Sequence, residues 1–205
     1  MPSVPSVKGS VLVGVAESVN KLLVQGTISR EELTRWLKPE DIALINQEML
    51  VSEWYDVRAL ARMSELLRDV QGKGDNEYLR QLGRQSARRL LDSGLYQQLE
   101  YLQALQVTKA SDQKSRFEAF GRDLRLLTTL TGSIFSFTKW ESRPDPEQEG
   151  RYIIRISDAR DFSDVLCWRS DGFINEMAKE HNEPDLWRWE RAARDLVLFR
   201  MNRAV

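Results

Sequence analysis

A chain of 205 residues, 41% hydrophobic and 30% charged, is long enough for one well-buried core and ordinary in composition for a globular domain. Its 30 basic and 31 acidic side chains leave a formal charge of −1, which excludes the global positive field of a nucleic-acid binder or anionic-membrane binder. No apolar run approaches the ~18 residues of a membrane span, so membrane insertion is not expected.

The first residues, MPSVPSVKGS, lack the apolar stretch of a signal peptide, and residues 1–9 read as a flexible arm. Ser10 is placed to cap a first helix with Val11, Val15, Val19 and Leu22 on one face, ended by Gly26. Ser29-Arg30-Glu31-Glu32 is a capping-box pattern opening a short helix through Leu33 and Trp36. Pro39 suits the first turn of a third helix running to about Leu50, with Glu40 and Asp41 at its positive end. Trp54 and Tyr55 stand at the start of a helix carrying Leu60, Met63, Leu67 and Val70. Exposed, the two rings mark an interface; buried, they anchor helix packing. Gly72-Lys73-Gly74-Asp75 is a turn whose aspartate caps a helix through Leu79, Leu82, Leu90 and Leu91 to Gly94. On it Arg80, Arg84 and Arg88 share a face, with Arg89 adjoining, which reads either as a solvated helix face or as a site for an anionic partner or ligand. Leu95, Leu99, Leu102 and Leu105 continue in helical phase, and a helix from about Ser111 to Leu130 turns Phe117, Phe120, Leu124 and Leu127 inward.

At Gly132 the apolar period changes from helical to strand-like. Ile134–Trp140, Tyr152–Ile156, Leu186–Arg191 and Leu196–Arg200 are predicted strands, and an acidic, mobile hairpin loop spans 143–150. Between the second and third strands, Asp161 opens a long helix with Phe162, Val165, Leu166, Phe173 and Met177. The whole is an α+β fold: about six or seven helices packed on a four-stranded antiparallel sheet with one long helix inserted, forming a single domain over residues 10–205. Trp187 and Trp189 lie two apart, so both rings project from one strand face, with Arg191 continuing the row and Val197, Phe199 and Met201 opposing it. They either line the core under the helices or form a pocket or partner surface.

Catalytic constellations are missing. Gly72 and Gly74 give only G-x-G, and no phosphate loop or H-E-x-x-H occurs. One histidine and one cysteine do not build a zinc site unless several carboxylates join them. His181 follows the long helix beside acidic neighbours and reads as a solvated terminal residue. Cys167, beside Trp168 on a predicted helix, reads as a buried structural thiol; as the single cysteine it also points to a reducing cytoplasm. Nothing here activates a nucleophile or a water, and the chain is not expected to be an enzyme.

The element order resembles the fold shared by heme-nitric-oxide/oxygen-binding domains, 4-vinyl-reductase-type domains and transport-protein-particle subunits. More narrowly, Gly9-Ser10-Val11-Leu12, Pro39-Glu40-Asp41, Ser52-Glu53-Trp54-Tyr55, Gly83-Arg84 and Gly94-Leu95-Tyr96-Gln97-Gln98-Leu99 resemble a paralogous myxobacterial family of unknown function. The heme-binding branch carries an axial histidine on a helix before the sheet and a Tyr-x-Ser-x-Arg signature. The matching stretch here is Ile156-Ser157-Asp158-Ala159-Arg160, where only Arg160 fits, and no histidine precedes His181. The resemblance therefore implies the fold without heme, and no cofactor or metal is expected. It also implies a non-catalytic regulatory or scaffold module, binding a protein partner or a second copy of itself in a bacterial signalling or motility assembly. Trp54, Tyr55, Arg84, Arg88, Trp187 and Trp189 are the candidate contacts. The alternative is a sensor holding a small hydrophobic ligand, an acyl chain or tetrapyrrole-like molecule, between helices and sheet. That reading expects a cavity on the order of several hundred Å³ lined by the C-terminal tryptophans.

Overall fold

The computed structural model describes residues 2–92 and 112–205, so the leucines between Leu95 and Leu105 lie outside the described residues. The first surprise comes at the N-terminus. Ser6–Lys8 is a strand, β1, antiparallel to Trp54–Asp56, β2, with Val7 opposite Tyr55. Val7 is fully buried, so the expected flexible arm is instead anchored, and Trp54 and Tyr55 belong to a strand rather than a helix start. The Ser6–Lys8 strand also meets the chain near Phe135: the Lys8 amide donates to the Ile134 carbonyl and the Ser136 amide to the Ser6 carbonyl, both at 2.9 Å. Alternation in 134–138 thus serves this short pairing, and the first strand of the main sheet begins later, at Lys139.

The helices follow the apolar spacing closely. Helix α1, Gly9–Val24, buries Leu12, Val15, Ala16, Val19 and Leu22. Helix α2, Arg30–Leu33, has the expected capping box, Glu32 amide to Ser29 Oγ and Ser29 amide to Glu32. Helix α3, Pro39–Ile45, stops short of Leu50. Helix α4, Val57–Val70, is capped by Asp56, and α5, Asn76–Asp92, follows a turn in which Asp75 accepts the Glu77 amide. Helix α6 is Gln113–Gly132 and α7 is Asp164–Lys179. Among the described residues, no helix is long and apolar enough to cross a membrane.

Helices α5 and α7 cross at very close range because glycine stands at both points of contact. A Cβ on Gly83 would overlap the Arg169 carbonyl, and one on Gly172 would overlap the Arg80 carbonyl. Behind them lies the antiparallel sheet β3-β4-β6-β5, made of Lys139–Pro144, Tyr152–Ser157, Leu196–Met201 and Trp187–Ala193. The register pairs Trp187 with Met201, Trp189 with Phe199 and Arg191 with Val197, as alternation requires. The β3–β4 loop is tied at its base: Asp145 is buried and accepts from Arg200 at 3.1 Å, contrary to the mobility expected of it. The α+β architecture of helices on one antiparallel sheet, with α7 inserted between β4 and β5, is the one the sequence predicts.

Candidate functional site

Small side chains recur every four residues along one face of α1, at Ser10, Gly14 and Ser18. Facing them on α5 are Gly83 and Ser86, and on α7 Ser170. Where three helices present small residues to one another, their backbones still diverge away from the Gly83 crossing, and a gap remains. It is a cavity of about 340 Å³, walled by apolar groups including Val11, Val15, Leu60, Phe135, Trp140 and Phe173. That volume is at the lower end of the roughly 300–1,000 Å³ usual for small-molecule sites.

Two guanidiniums reach this cavity. Arg169, on α7, is 6% exposed, and its Nη1 donates to Ser64 Oγ at 2.6 Å. Its other N–H groups have no protein partner and no carboxylate pairs with it among the described residues. Burial pushes this guanidinium down to about 10, and the nearby Arg89 charge pushes in the same direction. At neutral pH it is still a cation. Arg89, on α5, is exposed and lays its head against Gly14 of α1, where no Cβ obstructs it. Sequence reasoning placed Arg89 beside the arginine face but missed Arg169, the small-residue face of α1 and the cavity itself. The four-residue spacing of Ser10, Gly14 and Ser18 was the available signal.

The expected contacts lie elsewhere. Arg84 bonds Glu77 at 2.7 Å and Arg88 bonds Glu176 at 2.8 Å, so both are committed to ion pairs. Trp54 lies under the Lys8 ammonium, 4.1 Å from its ring centroid, and the Tyr55 hydroxyl accepts the Leu50 amide. Trp187 is fully buried and clamped by Asn175, which accepts its amide at 2.8 Å and donates to its carbonyl at 3.1 Å. Trp189 is half-buried, edge-on to Trp168 with centroids 5.4 Å apart. Only about 20 Å³ of space adjoins Trp187, room for a single water. The cavity foreseen by the sensor alternative is therefore present in size but bounded by α1, α5 and α7, not by the C-terminal tryptophans. The sheet face is filled by large rings; the small residues are on the helices.

His181 is not solvated as expected. Its Nε2 stands 3.7 Å from Asp123 Oδ2, with its ring edge-on to Phe120, in the small space beside Trp187. Cys167 is buried, its thiol pushed up to about 12 by desolvation, and it is no nucleophile. A heme would need an axial donor at the larger cavity. Its described lining holds serine, threonine, glutamine and arginine as polar groups, with no histidine, cysteine, methionine or tyrosine, so these residues do not fit heme iron. Nor does any group of three potential metal ligands occur among the described residues.

No protein-family model matches the chain, and neither does any curated protein. Solved structures do match. The Fe(II) unliganded H-NOX protein from K. algicida is similar at a TM-score of 0.57 and 9% identity, over 95% of each chain. A point mutant of that protein gives 0.58 and 11%, again over 95% of each. A structure from a study of heme distortion in the H-NOX family gives 0.50 and 13%, covering 97% of this chain and 96% of the other. The chain thus has the fold of the H-NOX proteins.

Proposed function

We propose that this protein is a ligand-binding sensor domain, taking a small apolar molecule into the cavity between α1, α5 and α7. The observation that carries this reading is a 340 Å³ hollow with predominantly hydrocarbon walls inside a fold whose solved neighbours include proteins described by their heme and Fe(II) states. The described wall does not fit heme iron, and we read the ligand as an apolar molecule of another kind. The polar groups of the described wall are those of serine, threonine, glutamine and arginine, and we read the domain as one that binds rather than reacts. Its motifs resemble those of the myxobacterial paralogous family, and its single buried thiol suits a cytoplasm. A protein partner, or a second copy of the chain, then reads occupancy of the cavity.

A neutral fluorescent probe of apolar sites, phenylnaphthylamine, tests this. Saturable uptake at one site per chain is expected. Ser170→Phe, which fills the cavity from α7, is expected to abolish uptake while circular dichroism shows the fold intact. Absence of saturable uptake, or uptake unchanged in the filled variant, counts against the reading.

A further inference from the structure

Each of the other charged residues in the buried set of the described residues has its counterion. Asp41 is paired with Arg62, Asp171 with Arg80, Asp145 with Arg200, and Glu176 with Arg88. Arg169 is the exception. It is the one arginine in the buried set, and its sole described partner is a neutral hydroxyl already bonded to the Leu60 carbonyl. A buried, uncompensated guanidinium is strongly destabilising, and a serine hydroxyl does not neutralise it. A second cation stands near it. Arg89 passes over Gly14 to reach the same cavity, so the two like charges oppose each other across a space walled by apolar side chains. Such an arrangement is resolved by an anion lying between them, and the apolar walls require the anion to be attached to a hydrocarbon body.

We propose that the cavity takes an amphiphile with an acidic head, a carboxylate or a phosphate monoester, held between the Arg169 and Arg89 guanidiniums with its hydrocarbon against Val11, Val15, Phe135 and Phe173. This rests on the reading of the cavity as a ligand site and adds the charge and polarity of the ligand. Arg169 supplies a planar donor fork inside the protein, fixed from behind by Ser64. Arg89 supplies the second charge from the exposed side. The hydroxyls of Ser10 and Ser170 also line the space and offer further donors to the head's remaining oxygens, whereas those of Ser18, Ser86 and Thr131 already donate to the Gly14, Leu82 and Leu127 carbonyls.

The test is competition against phenylnaphthylamine on the full chain, freed of co-purifying lipid, with decanol, decanoate and decyl phosphate as matched competitors. Both acids are expected to displace the probe at roughly ten- to a hundredfold lower concentration than decanol, the worth of a charge-assisted contact. Which acid is stronger distinguishes a fatty-acid head from a phosphate head. Arg169→Gln is expected to erase the difference between acids and alcohol, and Arg89→Gln, at an exposed position, to reduce it without affecting folding. Equal displacement by decanol and the acids overturns the proposal while leaving the cavity reading standing. So does an acid preference that survives in Arg89→Gln and in Arg169→Gln. Failure of all three competitors, or of the probe itself to bind, overturns the cavity reading and the proposal with it.

Discussion

Gly83 of α5 rests against the main-chain carbonyl of Arg169 on α7, and three residues away in each helix the relation is repeated with roles exchanged, Gly172 against the Arg80 carbonyl. Both glycines are helical, where alanine is intrinsically better by about 1 kcal/mol. The added methyl groups, however, meet backbone atoms, which do not swing aside as a side-chain end does. Overpacking of this kind costs about 1–3 kcal/mol or more and exceeds the propensity gain. Gly83→Ala and Gly172→Ala are each expected to lower the melting temperature by roughly 3–8 °C. Gly132→Ala, with no neighbouring atom to meet, should leave it unchanged or slightly raised. Calorimetry on the three variants checks this, and a Gly83→Ala protein melting with the parent would show that the helices part freely.

Asp41 explains the Pro39-Glu40-Asp41 motif physically. Its carboxylate caps α3 by accepting the Lys38 amide at 2.9 Å and receives both Arg62 donors, at 2.6 and 2.7 Å, while being almost wholly buried. Asp41→Ala removes a cap and leaves a mostly buried guanidinium without its partner. The expected loss is about 3 kcal/mol, read by urea denaturation. Arg62→Met should cost a similar amount, because it leaves the carboxylate buried. A double variant no worse than either single one would confirm that the two act as a unit.

The periodicity of the sequence contains three of the four strands of the main sheet, because strand alternation and strand pairing share one rule, but it places the first at 134–140 where the strand is Lys139–Pro144. Trp187, Trp189 and Arg191 had to oppose Met201, Phe199 and Val197 once the last two strands formed a hairpin. The Ser6–Lys8 strand was not legible, since three residues carry no period and their partner, Trp54–Asp56, lies far along the chain. The site was hidden for a different reason. Apolar patterning locates what is packed, whereas a cavity is defined by what small residues fail to fill. Arg169 in turn sits in an apolar helical register, where its burial depends on α4 and α5 folding over it. Only the tertiary structure separates Arg88, paired with Glu176, from its neighbour Arg89, which lies against Gly14.

Asp123 faces His181 across 3.7 Å, and its Oδ2 has no hydrogen-bond donor among the described residues. Desolvation raises its pKa above the ordinary carboxylate value, opposed in part by His181 and Arg122. A carboxyl raised in the folded state binds its proton more tightly there than in the unfolded chain. Its stabilising contribution is full below the ordinary value, about pH 3.9, and is lost as pH rises through the raised one. Asp123→Asn keeps the shape without the charge. The variant is expected to melt above the parent at neutral pH, with the gap closing as the solution is acidified toward about pH 4. Parallel melting curves across that range would show that the carboxylate is adequately solvated in the folded protein.

Arg169 separates a binding role from a structural one by the sign of its effect on stability. A guanidinium retained for packing or pairing destabilises the protein when removed, as Arg62 should. One that is buried without a counterion is held against its own desolvation, and an apolar side chain of similar length relieves that cost. Ser64 loses little in the exchange, since its hydroxyl still donates to the Leu60 carbonyl at 2.6 Å. Arg169→Met is therefore expected to raise the melting temperature of the ligand-free protein by a few degrees, about 1–2 kcal/mol, while abolishing the extra thermal stabilisation that decanoate gives the parent over decanol. Thermal melts of parent and variant, each with and without decanoate, supply both comparisons. A variant that melts lower than the parent would assign Arg169 to the architecture of the α4–α5–α7 junction instead.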